Sequence, residues 1–127
     1  MKENIIAKQI VDASYTIHQK LGPGLLESVY EVVLTHELIK RDLHVERQKP
    51  VSIQYDNITF DHAFYTDIIV EDKVIIELKS IETVKPLHKK QLLTYLKLTG
   101  KKLGLLINFG VVLIIDCIYR VVNGLPD

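Results

Sequence analysis

Apolar residues recur at every third or fourth position in the N-terminal part of the chain, with charged or polar residues between them. This spacing predicts an amphipathic helix from about residue 3 to residue 20 and a second helix from about Leu25 to Arg41. The segment Leu21-Gly22-Pro23-Gly24 ends the first helix. The apolar positions at this spacing are Ile6, Ile10, Ala13 and Ile17 in the first helix, and Leu26, Tyr30, Leu34 and Leu38 in the second.

From Leu43 onward the pattern changes to extended segments rich in β-branched residues. Strands are predicted at Val45 to Tyr55, Ile58 to Val70 and Val74 to Ser80. A turn at Asp56-Asn57 joins the first two strands, and Glu71-Asp72-Lys73 separates the second from the third, which indicates an antiparallel meander. Because Pro50 has no N–H to donate to a central strand, we expect it at a sheet edge or a bulge.

A third helix is predicted to begin at Pro86 and to run to about Leu98, with Gly100 as its left-handed stop. Two more strands are predicted at Leu103 to Phe109 and Val111 to Val122. The order ααβββαββ indicates an α/β (α+β) fold with a mixed sheet flanked by helices. Strands that are apolar on successive residues, such as Val74 to Ile76, are typical of a sheet covered on both faces.

The composition fits one domain spanning residues 1–127, since 47% of the residues are hydrophobic and 25% are charged. The formal net charge is +0, so no global positive field draws the protein toward nucleic acid. The single cysteine, Cys117, cannot form an intramolecular disulfide, which suits the cytoplasm. No signal segment is expected, and the apolar stretch from Leu103 to Ile115 is too short to cross a membrane.

Three ionisable side chains interrupt strands that otherwise look interior: Asp67, Glu77 and Lys79. Glu77 and Lys79 are two residues apart, so they point to the same face of their strand. Asp67 points to that face only if Glu71-Asp72-Lys73 form a three-residue loop, because a two-residue turn would place Asp67 opposite Ile76. With the longer loop the two carboxylates are cross-strand neighbours about 5 Å apart at Cβ. We predict the three-residue loop or an equivalent bulge.

Two carboxylates held together in a poorly solvated place need a shared proton or a hard cation. Mg²⁺ or Mn²⁺ suits an all-oxygen ligand set provided by Asp67, Glu77 and water, and such an ion favours hydrolysis of a phosphodiester. Lys79 would orient the attacking water or stabilise the transition state. The alternative is a buried ionic cluster of these three residues with no catalytic role.

Supporting positions lie on the second and third predicted helices. Glu27 shares the arc of Tyr30 and Leu34, so we expect its carboxylate to face the core and to reach the metal directly or through water; the alternative is an acid placed by the helix dipole. His88, Gln91 and Tyr95 share one face of the third helix, which could hold a phosphate or the reacting strand. The alternative for that face is a solvated helix surface.

The segment between Lys85 and Lys102 contains six lysines and no acidic residue. Such lysines could contact DNA backbone phosphates, and we predict this role for Lys85, Lys89 and Lys90 beside the site. Tyr95 is also predicted to bind the nucleic acid. A soluble helix surface is the competing interpretation. His18 is interpreted as a boundary histidine, because no Cys or His stands at a metal-ligand spacing from it.

The segment Gly24-Leu25-Leu26-Glu27-Ser28-Val29-Tyr30 matches the pattern GxxExxY, and Asp67 followed by Glu77-Leu78-Lys79 matches a nuclease core. From about Ile5 to Gly124 the chain resembles the GxxExxY proteins, a bacterial and archaeal family in the PD-(D/E)xK nuclease superfamily. The resemblance implies a restriction-endonuclease-like core in which Asp67 and Glu77 hold the metal, Lys79 assists catalysis and Glu27 adds an acidic position. Gln91 and Tyr95 are similar to a QxxxY element of the exonuclease-like branch.

The leading hypothesis is a Mg²⁺-dependent nuclease acting on DNA. The main alternative is an inactive nuclease-fold module that binds nucleic acid or a partner protein, and a third hypothesis is a phosphodiesterase directed at RNA or nucleotides. A homodimer is a further hypothesis, since a domain of this size has no separate specificity module and a second copy would widen the binding surface.

Overall fold

The computed structural model describes residues 1–127, except for the side chain of Cys117. Three α-helices, five β-strands and one short 3-10 turn follow one another along the chain. The helices are α1 (Glu3–Leu21), α2 (Glu27–Lys40) and α3 (Pro86–Thr99). The strands are β1 (Val45–Tyr55), β2 (Ile58–Val70), β3 (Val74–Lys79), β4 (Leu103–Asn108) and β5 (Ile118–Val122), and the 3-10 turn is Ile114–Cys117. The predicted order ααβββαββ is confirmed.

The five strands form one mixed sheet whose spatial order, β1-β2-β3-β4-β5, is the order along the chain. Strands β1, β2 and β3 form the predicted antiparallel meander, and β4 and β5 are also antiparallel. Only β3 and β4 run parallel, and α3 connects them. Such a connection requires a crossover, which explains why a helix stands at this point of the sequence.

The sheet is covered on both faces, as its apolar strands predict. Helices α1 and α2 pack on one face, and their buried residues include Ile10, Tyr30 and Leu34. Helix α3 covers the other face, where Leu92 and Leu96 pack with Ile69, Ile75 and Leu106. Residues of β2 and β3 therefore alternate between two cores, and every second side chain of these strands faces α3.

The predicted strand from Val111 to Val122 was wrong over its first half. Strand β5 begins only at Ile118, which pairs with Ile107, and residues 111–117 form a connection that includes the 3-10 turn. Residues Ile118–Val122 already pair with β4 from Ile107 back to Leu103, so residues 111–117 lie beyond the end of the partner strand. A run of β-branched residues without a partner strand does not form a ladder.

Strands β1 and β2 extend beyond the rest of the sheet as a two-stranded arm. The register pairs β3 with β2 only from Ile68 to Val70, whereas β1 and β2 stay paired out to Tyr55 and Ile58. Pro50 lies on the edge strand β1, as predicted. None of the helices in the described part of the chain is long and apolar enough to cross a membrane.

Candidate metal centre

The loop between β2 and β3 sets the register that brings the predicted carboxylates together. Val70 pairs with Val74, so Glu71-Asp72-Lys73 form the predicted three-residue loop, in which Glu71 and Asp72 have positive φ angles of 54°. Pairing continues through Ile68 and Ile76. The same register continued by one residue places Asp67 opposite Glu77.

The carboxyl group of Asp67 is held by the neighbouring strands. Its Oδ2 accepts a hydrogen bond of 2.8 Å from the backbone N–H of Leu78, and its Oδ1 lies 3.5 Å from Nε2 of Gln48. The Asp67 and Glu77 carboxyls also hydrogen-bond to each other. Burial raises the pKa of Asp67 above its ordinary value, although the hydrogen bond from Leu78 opposes this effect.

Glu77 is the more strongly perturbed of the two acids. Burial, followed by the charge of Asp67, raises the pKa of Glu77 to about 9. The Lys79 ammonium favours ionisation of both carboxyls but does not outweigh their burial. The Oε1 atom of Glu77 is buried and has no hydrogen-bond partner among the described residues. Without a cation, the pair therefore shares a proton at neutral pH.

These two acids fit a hard divalent cation. Glu77 offers a buried oxygen that lacks a partner among the described residues, and Asp67 offers a second carboxylate across the strand pair. Within the described side chains, no group of three or more His, Cys, Asp or Glu residues is placed to hold a metal ion. Mg²⁺ commonly binds through one or two carboxylates and keeps several of its waters, so a two-carboxylate set suits it.

A cleft of about 430 Å³ opens beside Lys79. Its lining residues are Glu27, Lys79, Ile81, Glu82, Thr83, Lys85 and His88. Glu27 is an exposed residue of this cleft, so the prediction that its side chain faces the core was wrong. The reason is its place at the first residue of α2, where the helix has only begun to pack on the sheet.

The wall of the cleft is fixed by the end of β4. The buried side chain of Asn108 accepts hydrogen bonds from the N–H groups of Ile81 and Gly110 and donates one to the Ile81 carbonyl. A Cβ at Gly110 would lie 2.4 Å from the backbone nitrogen of Ile81, so only glycine allows this approach. Ser80 adds a bond of 2.6 Å from its Oγ to the Leu25 carbonyl. Ser80 and Ile81, which follow Lys79, are therefore hydrogen-bonded to the loop before α2 and to the end of β4.

Tyr30 holds the loop that precedes α2. Its hydroxyl donates to the Gly22 carbonyl at 2.7 Å and accepts from the Leu25 N–H at 3.1 Å, while its ring stacks on Phe109 at 4.3 Å. Gly24 in the same loop has a φ of 90°, which favours glycine. The glycine and tyrosine of the GxxExxY pattern thus fix the start of α2, where Glu27 stands.

Helix α3 presents Gln91 and Tyr95 toward the same side of the sheet as the carboxylates. The Tyr95 ring stacks on Phe64 at 4.0 Å between centroids, and its hydroxyl hydrogen-bonds with the Gln91 side chain. Burial, together with the charges of Glu77 and Asp67, raises the pKa of Tyr95. Gln91 is exposed and Tyr95 is half-buried, so the pair lies at the margin of the site.

The predicted nucleic-acid-binding lysines, Lys85, Lys89 and Lys90, are all exposed near the N-terminal end of α3. The Nζ atom of Lys89 lies 4.1 Å from the centre of the Tyr119 ring. Lys101, farther along the same basic segment, forms an ion pair of 3.1 Å with Asp72. The positive charge of this segment is therefore partly neutralised at its C-terminal end, whereas the lysines at the N-terminal end of α3 remain exposed.

His18 is a boundary residue, as interpreted from the sequence. Its Nε2 lies 2.7 Å from the Val111 carbonyl, and its ring stacks with Phe109.

A polar network that was not predicted from the sequence lies next to Asp67 and consists of Glu31, Arg47 and Gln48. Glu31 is buried on α2, with 6% of its surface exposed, and its Oε2 accepts hydrogen bonds of 3.1 and 2.8 Å from Arg47. Its Oε1 accepts one of 2.6 Å from Gln48. The sequence contains one signal for the burial of Glu31. Glu31 lies three residues before the core residue Leu34, and this spacing places Glu31 on the face of the helix that packs on the core.

A family model described as the PD-(D/E)XK nuclease superfamily matches residues 4–123. No curated protein and no solved structure matches the chain.

Proposed function

Because this chain belongs to the PD-(D/E)XK nuclease superfamily, we propose that it is a Mg²⁺-dependent nuclease that hydrolyses phosphodiester bonds of DNA. The observation that carries the proposal is the buried pair of Asp67 and Glu77, in which a carboxylate oxygen of Glu77 lacks any partner among the described residues. An unsatisfied buried acceptor is costly, and a bound cation would remove that cost. Proteins of this superfamily generally use divalent metal ions, and Mg²⁺ or Mn²⁺ suits the oxygen donors here.

Each residue of the site has a role that follows from its position. Asp67 and Glu77 would hold the cation, which would supply a more acidic water and neutralise negative charge on the phosphoryl oxygens. Lys79 orients the attacking water or stabilises the transition state, since its strand position faces the same side as Glu77. Glu27, at the mouth of the cleft, adds an acidic position, and Gln91 at the margin holds a phosphate oxygen or the reacting strand.

The substrate reaches the site along the basic end of α3. Lys85 lines the cleft, Lys89 and Lys90 are exposed on the first turns of α3, and all three bind backbone phosphates, while Tyr95 contacts a nucleotide. The chain has zero formal net charge, so this local patch rather than the whole molecule attracts DNA.

Four further features complete the proposal. The chain is a member of the GxxExxY branch, residues 1–127 act as one nuclease-like domain, and the protein works in the cytoplasm. The fourth feature is a homodimer.

The protein acts as a homodimer, in which the arm formed by β1 and β2 supplies the contact. In the arm, Ile53 pairs with Phe60 and Tyr55 with Ile58, so all four side chains share one face, and large fractions of Tyr55, Ile58 and Phe60 are exposed. Light scattering after size exclusion tests the dimer.

Cleavage assays test the nuclease. Linear, circular, single-stranded and double-stranded DNA are incubated with pure protein in Mg²⁺, Mn²⁺ or EDTA. We expect cleavage with either metal and none in EDTA, and we expect Asp67→Ala to lose at least about 100-fold in rate because one of the two proposed carboxylate ligands is removed. Asp61→Ala, on the exposed part of β2, is the matched control and should cleave like the wild type. Cleavage that persists in Asp67→Ala would contradict the proposal.

A second candidate is a nuclease-fold module that binds nucleic acid or a partner protein without cleaving. The observation that favours it is the two-acid ligand set, since a third acidic side chain does not join Asp67 and Glu77 among the described residues. Titration calorimetry separates the candidates. The nuclease binds Mn²⁺ with a signal that Asp67→Ala abolishes, and the module shows no such signal.

A further inference from the structure

Gln48 has an unusual backbone conformation at the point where β1 passes Asp67. Its φ angle is 49°, in the left-handed region that residues other than glycine rarely adopt. The ladder is regular on both sides of it, because Arg47 pairs with Ile68 and Lys49 pairs with Thr66. The register therefore places the left-handed residue directly opposite Asp67. Such conformations persist where surrounding contacts impose them, and they cluster at functional sites.

The side chain of Gln48 lies between two carboxylates. Its Nε2 donates to Oε1 of Glu31 at 2.6 Å and lies 3.5 Å from Oδ1 of Asp67. A primary amide has two N–H groups, so one nitrogen can serve both acceptors. Arg47 occupies the other oxygen of Glu31, which leaves Oε1 to fix the Gln48 amide.

We propose that Gln48, held by Glu31, is a positioning residue that orients Asp67 for metal binding. This inference rests on the metal site of the proposed function and assigns a role to two residues outside that site. Asp67 has hydrogen-bond donors on both of its oxygens: the Leu78 N–H on Oδ2 and the Gln48 amide on Oδ1. Groups that orient a metal ligand in this way commonly change metal affinity by about 10- to 100-fold when they are removed.

A purely structural role does not account for this arrangement. Two hydrogen bonds from Arg47 to Oε2 of Glu31 already join α2 to β1. An extended residue at position 48 would continue the ladder without backbone strain, whereas the left-handed residue brings its amide to both Glu31 and Asp67. The left-handed backbone thus accompanies a contact to Asp67 in addition to the contact to Glu31 on α2.

The decisive variant is Gln48→Gly, because glycine adopts the left-handed backbone freely while the amide is lost. We expect Mn²⁺ affinity, measured by calorimetry, to fall about 10-fold or more. The matched control is Asp56→Gly, which also replaces a left-handed residue, with a φ of 52°, but lies in the turn at the tip of the arm. It should bind Mn²⁺ like the wild type.

A metal-independent readout accompanies the calorimetry. The N–H of Leu78 donates to Asp67, so a loosened Asp67 should speed hydrogen exchange at Leu78 about 10-fold while the Ile76 amide is unchanged. Faster exchange together with weaker Mn²⁺ binding supports the inference. Unchanged exchange at Leu78, or Mn²⁺ affinity within about twofold of the wild type, overturns it.

The two proposals fail in different ways. A wild-type protein that binds no Mn²⁺ contradicts the proposed nuclease, and exchange at Leu78 then decides alone whether Gln48 holds Asp67. If the wild type binds Mn²⁺ and Gln48→Gly binds it equally tightly, the metal site of the proposed function stands. The positioning role of Gln48 is then contradicted.

Discussion

At the scale of single residues, Glu77 determines how the metal-free protein responds to pH. Burial and the nearby charge of Asp67 raise its pKa to about 9, well above the value of 4.5 for a free glutamate. Between these two values the folded protein keeps a proton that the unfolded chain releases. The free energy of unfolding must therefore fall as the pH rises across this range, by at most about 1.4 kcal/mol per pH unit for one group.

The substitution Glu77→Gln tests this linkage. Glutamine is neutral at every pH, so we expect the variant in EDTA to lose less stability than the wild type between pH 5 and 8.5. Urea unfolding at several pH values measures the difference. Below pH 4.5 the contribution is fully present in the wild type, so the two proteins should differ least there. Parallel stability profiles across the whole range would show that Glu77 is ionised in the folded state.

Prediction of the geometry around Asp67 and Glu77 succeeded where a local rule applies. The separation of Glu77 and Lys79 and the length of the loop at Glu71-Asp72-Lys73 determine which side chains share a face. The network of Glu31, Arg47 and Gln48 depends on contacts between α2 and β1 that have no fixed spacing in the chain. The orientation of Glu27 was missed for the same reason, because it depends on where α2 meets the sheet.

At the scale of elements, the helices and the first three strands were predictable because their apolar periodicity matches the surface that each one buries. The error fell on residues 111–117, where the composition favours a strand but the partner strand has ended. The β-propensity of a segment does not indicate whether a partner strand is present beside it. The left-handed backbone at Gln48 was equally hidden, since glutamine carries no signal for that conformation.

Tyr30 of α2 holds the loop between α1 and α2 through two hydrogen bonds, and the variant Tyr30→Phe tests how much this contact stabilises the protein. Phenylalanine keeps the stacking on Phe109 but leaves the Gly22 carbonyl and the Leu25 N–H without their partner. We expect the free energy of unfolding in urea to fall by about 1–3 kcal/mol. Mn²⁺ affinity should not change, because Asp67 and Glu77 lie on β2 and β3. Tyr55→Phe, at a residue that is 70% exposed, is the control and should be neutral.

At the scale of the whole molecule, zero net charge makes the placement of lysines decisive. Neutralising Lys85, Lys89 and Lys90 together to glutamine should weaken DNA binding at 50 mM salt. It should also reduce the slope of log affinity against log salt by up to about 2.7, since each phosphate contact contributes about 0.9. Fluorescence anisotropy without divalent metal measures both quantities.

The matched control for the lysine variant is Lys40→Gln at the end of α2. Lys40 is exposed like the three lysines, but α2 covers the opposite face of the sheet. We expect its salt slope to equal that of the wild type. An equal slope in the triple variant would place the DNA on another surface.

The strand order, which matches the chain order, also affects how the protein is made. Each strand finds its neighbour among residues that have already left the ribosome, so the sheet can grow from β1 toward β5 during translation. The apolar faces of α1 and α2 emerge first and remain uncovered until β3 and β4 follow. Nascent chains halted before β4 should therefore bind chaperones that recognise exposed apolar helices.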